Sequence, residues 1–139
     1  MAKTTLKSFL SFSHIDASIV RAVVKQVGGW QAFQEIASDV ANHGANAGWV
    51  GFTYYTDTVA FTKRHKQAIV AFVEQEAESF SEDGIISFLA GFNCLKGETQ
   101  NDIADGLHNP KSDHQDYVFN ALAWYCLEEV ARSFDSFNN

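Results

Sequence analysis

Asp102, Asp105 and His108 recur at every third position, so adjacent members share one face of a helix. Carboxylates and imidazoles at that spacing are metal-ligand types. Asp105-Gly106-Leu107-His108 has the carboxylate-x-x-His form of di-iron bundles. Such a centre needs a second element of the same kind and two further inward carboxylates. No second element is present, and Glu128 with Glu129 offers one inward carboxylate. The shell is incomplete for iron or a hard cation. The leading expectation is therefore no metal, no cofactor and no catalytic residue. A small metal-dependent enzyme using Asp102, Asp105, His108 and His114 is the alternative.

Other chemistries fare no better. Cys94 and Cys126 both fall in apolar helical traces, and neither adjoins the glycine-rich turn that exposes a nucleophile. Both are expected as buried, reduced thiols, with a disulfide between them as the alternative. The absence of CxxC or a Cys/His ladder excludes a zinc knuckle. Gly44, Gly48 and Gly51 lie in a glycine-bearing stretch without the lysine ending of a P-loop or GxGxxG. Lys63-Arg64-His65-Lys66 is a basic cluster near Tyr54, Tyr55 and Phe61. Four consecutive helical residues point all round the axis, so a solvated face is expected there.

The charge is informative by position. The 139 residues sum to −7, which disfavours coating nucleic acid or binding an anionic membrane surface. Residues 1–73 carry seven basic and four acidic groups, whereas 74–139 carry three basic and thirteen acidic ones. Glu74, Glu76 and Glu78 alternate, Glu82 and Asp83 follow, and Asp102, Asp105, Asp113 and Asp116 continue the series. An anionic face of this kind meets a basic partner and makes the encounter salt-sensitive.

The elements that must position these groups read as helices. Hydrophobic residues make up 46% of the chain and aromatics 14%, enough for a packed core. Ile15, Ile19, Val23, Val24 and Val27 form one stripe, capped by Ser13 or Asp16 and ended by Gly28-Gly29. Trp30, Phe33, Ile36, Ala37 and Val40 form another, ending near Gly44. A long helix runs from Thr56 or Asp57 towards Phe80, with fraying expected near Arg64-His65. A turn at residues 81–84 precedes the stripe Ile85, Phe88, Leu89, Phe92. Thr99 caps a short helix stopped by Asn109-Pro110. Ser112 or Asp113 starts the last helix, with Val118, Leu122, Tyr125, Cys126, Val130 and Phe134 inward. The expectation is an all-α, compact single-domain bundle of about six helices over residues 1–139. An aromatic, glycine-rich loop or short strand interrupts it near 44–56. No apolar run is long enough for a signal peptide or a membrane span, so a cytoplasmic protein is expected.

Two segments carry a resemblance. Gly48-Trp49-Val50-Gly51-Phe52-Thr53-Tyr54-Tyr55-Thr56-Asp57-Thr58-Val59-Ala60-Phe61 is the first, and Asn120 to Ala131 (NALAWYCLEEVA) is the second. Together they resemble a family of small proteins encoded by tailed phages and plasmids. The resemblance covers the middle and end of the chain and carries over no functional residue. It implies a mobile-element context, in which small accessory proteins often block host defence machinery.

The expected function is thus a non-enzymatic phage or mobile-element protein that binds a host protein. The expected partner is a nucleic-acid-binding defence complex, inhibited in an anti-CRISPR or antirestriction role, with no direct contact to nucleic acid or membrane. The residues expected to meet it are Glu74, Glu76, Glu78, Glu82, Asp83, Asp102 and Asp105, together with Trp49, Tyr54 and Tyr55, because Tyr and Trp dominate interface hot spots. A structural module that self-associates through its aromatic surface is a further alternative.

Overall fold

The computed structural model describes residues 4–44, 51–80 and 84–139. Trp49, Glu82 and Asp83 lie outside these, as do residues 45–50 of the predicted loop or strand at 44–56. Among the described residues there are eight α-helices, one 3-10 turn and no strand. In chain order they are α1 (Leu6–Phe12), α2 (Ala17–Gln26), α3 (Trp30–His43), α4 (Thr56–Arg64), α5 (Lys66–Phe80), α6 (Gly84–Ala90), the 3-10 turn (Asn93–Leu95), α7 (Gln100–His108) and α8 (Gln115–Asn138). None is long and apolar enough to cross a membrane. The all-helical reading holds, with two helices more than expected. The addition of α1 accounts for one. The other arises because the long helix expected from residue 56 is two helices that meet at His65.

The chain divides into two packed units. The first comprises Met1–Thr53 and Trp124–Asn139, and the second comprises Tyr54–Ala123. Helix α8 contributes its start to the second unit and its remainder to the first.

In the first unit, α2 starts where the Asp16 carboxylate accepts the Ser18 amide at 2.8 Å. Together with the Ser18 hydroxyl, this holds the Asp16 carboxyl below its ordinary range. The aromatic excess of the sequence concentrates here. The buried Phe9 ring meets Trp30, Phe33, Phe134 and Phe137 at centroid distances of 5.4–6.3 Å. Phe9 is the buried side chain of helix α1, Phe12 adds a ring contact with Phe137, and the Thr5 hydroxyl caps its N-terminus by accepting the Ser8 amide. Gly51 illustrates close chain approach. Its φ is +90°, and a Cβ there would lie 2.2 Å from the Gln26 carbonyl oxygen. Gln26 also donates its side-chain amide to the Gly51 carbonyl at 2.8 Å.

In the second unit, α4 is bound to the start of α8 by buried threonines. Thr58 donates to the Asn120 side-chain oxygen at 2.6 Å, and Thr62 donates to the Phe119 carbonyl at 2.7 Å. In the same unit, α7 opens on a reciprocal cap. Thr99 accepts the Asp102 amide while Asp102 accepts the Thr99 amide. Gly106, in the last turn of α7, presses against the residues that lead into α8. A Cβ there would lie 2.7 Å from the His114 carbonyl oxygen and 2.8 Å from Val118 Cγ2.

Candidate functional site

Four large hydrophobic side chains are exposed among the described residues: Phe12, Tyr54, Tyr55 and Tyr117. Three of the four meet in the second unit. The Tyr55 ring lies 5.7 Å from Tyr54 and 5.7 Å from Tyr117, nearly perpendicular to the latter. They border a cleft of about 300 Å³ together with Cys94 and Asn120. Each tyrosine keeps 43–49% of its surface open to solvent.

The backbone explains how these rings stand out. Tyr55 has φ +61° and is the non-glycine residue with positive φ among the described residues. For a bulky side chain this conformation costs roughly 1–2 kcal/mol. It persists because the Tyr55 amide donates to the Thr58 hydroxyl at 3.0 Å, and Thr58 is itself anchored on Asn120. The same junction caps α4. Burial, aided by Tyr117, Tyr54, Cys94 and Asp116, pushes the Tyr55 hydroxyl above its ordinary range, so the ring stays neutral at physiological pH.

The predicted acidic residues differ in exposure and in their local contacts. Glu74 and Glu78 are exposed on α5, whereas Glu76, two positions from each, is half-buried. Glu74 lines an open groove of about 440 Å³ with Lys66 and His108. Asp105 is held locally, accepting the Ser112 hydroxyl and the Asn109 amide. These bonds keep its carboxyl below the ordinary range. Asp102 is engaged in the α7 cap.

The four residues of the metal-enzyme alternative separate. His108 and Asp105 turn to the contacts just named. Asp102 and His114 come together, with Glu98 as third member. His114 Nε2 lies 3.4 Å from Asp102 Oδ1, and His114 Nδ1 lies 3.2 Å from Glu98 Oε2. The three offer one ligand atom each within 4.8 Å of one another, all half-buried.

The cysteines correct one expectation. Cys126 is buried, and burial drives its thiol far above the ordinary range. Cys94 is exposed, because helix α6 ends at Ala90 and Cys94 sits on the 3-10 turn beyond it. The basic cluster is divided at the α4–α5 junction. Lys63 and Arg64 are exposed, while Lys66 places its ammonium over the Phe119 ring at 5.4 Å.

Sequence reasoning missed Tyr117 and Glu98. Tyr117 precedes Val118, the first inward residue of its stripe, so an outward-facing aromatic was its one signal. Glu98 carried none beyond its place before the Thr99 cap. Neither the curated proteins nor the solved structures include a match to this chain. A family model described as a domain of unknown function, DUF7222, matches residues 13–136, and the chain belongs to that family.

Proposed function

We propose that the chain is a non-enzymatic accessory protein of a phage or other mobile element that binds a host protein in the host cytoplasm. Its target in this reading is a nucleic-acid-binding defence complex, a CRISPR effector or a restriction enzyme, inhibited by occupation of a positively charged surface. The observation that carries the binding reading is the Tyr54–Tyr55–Tyr117 cluster. Tyrosine offers a large contact area with little rotamer entropy to lose and has a hydroxyl to orient the partner. Here three are held half-exposed at a junction where backbone strain is retained, and strain of this kind clusters at functional sites.

Charge supports a basic partner. The excess of acidic groups beyond residue 73 includes the exposed Glu74 and Glu78, and Asp116 acts on Tyr55 itself. Complementary charge raises the association rate more than the lifetime of the complex, so binding is salt-sensitive. The resemblance of residues 48–61 and 120–131 to phage and plasmid proteins supplies the mobile-element context and the choice of defence complexes as targets.

The test is capture of purified host CRISPR effectors and restriction enzymes by the tagged protein at low and high salt. A Tyr54→Ala/Tyr117→Ala variant and a Glu74→Lys/Glu78→Lys variant run alongside. Capture is expected to fall with salt, to drop at least tenfold in the tyrosine variant, and to slow in the charge variant. Failure of the folded protein to bind any of these enzymes would refute the defence role. A dimer in sedimentation that dissociates in the tyrosine variant would assign the cluster to self-association instead.

A further inference from the structure

We propose that Glu98, Asp102 and His114 bind one zinc-type dication, which clasps the start of α7 to the residue that precedes α8. The donor set is one imidazole nitrogen and carboxylate oxygens, the ligand types of zinc sites that retain water in the remaining position. Ligand atoms around a tetrahedral zinc ion stand about 3.4 Å apart. His114 Nε2 and Asp102 Oδ1 are already 3.4 Å apart, and the whole set falls within 4.8 Å.

The surroundings of His114 argue for a cation. Each ring nitrogen lies within 3.4 Å of a carboxylate oxygen. Moreover, Nδ1 is sealed from solvent and, although 3.2 Å from Glu98, sits in a geometry that makes no hydrogen bond. Two carboxylates beside one imidazole concentrate negative charge, which a dication offsets. Half-burial makes that attraction stronger than it would be in open water.

The ligands are also held in place. Asp102 Oδ2 is fixed by the Thr99 amide, which leaves Oδ1 towards His114. The His114 amide donates to the Ser112 hydroxyl, and its carbonyl rests against Gly106. Such secondary contacts orient the ligands of metal sites. Mg²⁺ and Ca²⁺ fit less well, because they require fuller shells of oxygen.

Calorimetric titration of Zn²⁺ into the chelator-treated full chain tests this, with urea unfolding in parallel. One ion per chain is expected. Free Zn²⁺ at a hundred times Kd should raise the folding constant about 100-fold. His114→Ala should abolish binding and stabilisation, and Glu98→Gln should weaken binding at least tenfold. His108→Ala should leave both unchanged, and Mg²⁺ or Ca²⁺ should produce neither effect. Should His114→Ala fail to fold, Glu98→Gln decides. Absence of Zn²⁺ binding at millimolar concentration would overturn the proposal. So would binding that survives intact in His114→Ala or Glu98→Gln, or Mg²⁺ binding as tight as that of Zn²⁺.

Discussion

Replacing Gly106 with alanine tests how the cluster is held, because two well-known effects oppose each other there. Glycine inside a helix costs about 1 kcal/mol relative to alanine, so Gly→Ala normally stabilises. Gly106 lies within α7, and its backbone is not in the left-handed region. Propensity alone predicts a gain. The packing predicts a loss. The new Cβ would stand 2.7 Å from the His114 carbonyl oxygen, 2.9 Å from its carbonyl carbon and 2.8 Å from Val118 Cγ2. Two of these are backbone atoms, which cannot swing aside as a flexible side-chain tip does. Overpacking costs typically 1–3 kcal/mol, and with backbone contacts the upper end applies. Subtracting the propensity gain leaves a net destabilisation of about 2 kcal/mol. For a chain of this size that lowers Tm by roughly 6–8 °C. Urea and thermal unfolding followed by circular dichroism provide the assay. Gly97→Ala is the control, since nothing lies within 4 Å of that position and its φ is ordinary. It should change stability by less than about 0.5 kcal/mol. A Gly106→Ala protein as stable as the parent, or more so, would refute the close packing of α7 on the residues that carry His114. Displacing His114 should also weaken Zn²⁺ binding in the same variant.

Three further outcomes are expected. Thr58→Val keeps the shape but leaves the buried Asn120 oxygen and the Tyr55 amide without the Thr58 hydroxyl, at a cost of about 1–3 kcal/mol in urea unfolding. Maleimide should label Cys94 in buffer and Cys126 only in denaturant, giving one and then two adducts by mass spectrometry. Asp105 has a depressed folded pKa, so its contribution is complete above the unfolded value near about 3.9 and is lost as pH falls through the folded value. Asp105→Asn should lower the urea midpoint at neutral pH and make its acid-side decline shallower.

Much of the helical pattern was legible because it rests on local signals. Asp16, the Gly28-Gly29 pair, the Thr99 cap and the Asn109-Pro110 stop all work through the backbone within a few residues. What escaped was set by distant partners. Helix α1 has only seven residues, too few for a periodic pattern to stand out, and depends on Phe9 reaching aromatic rings from α3 and α8. The division at His65 involves no glycine or proline. It coincides with Thr62 and Lys66 both engaging Phe119, a residue more than fifty positions away. Cys94 was misplaced for the related reason that an apolar stripe does not say where its helix stops.

The site shows the same division more sharply. Tyr54 and Tyr55 were visible as residue types, but the strained backbone at Tyr55 is not encoded by a glycine or asparagine that would announce it. It arises from the Thr58–Asn120 bond, which joins positions 62 apart in the chain. That bond also brings α8, and hence Tyr117, beside the pair. The three-residue spacing of Asp102, Asp105 and His108 does not bring the three together; Asp102 meets Glu98 and His114 instead. A helix repeats every 3.6 residues, so a third member of such a row drifts from the face set by the first. Glu98 and His114 enter the cluster from outside the helix, one from the turn before its cap and one from the turn after its stop. Their meeting depends on Gly106, whose missing side chain lets the returning chain approach. In a sequence, that position reads only as a weak residue in a short helix.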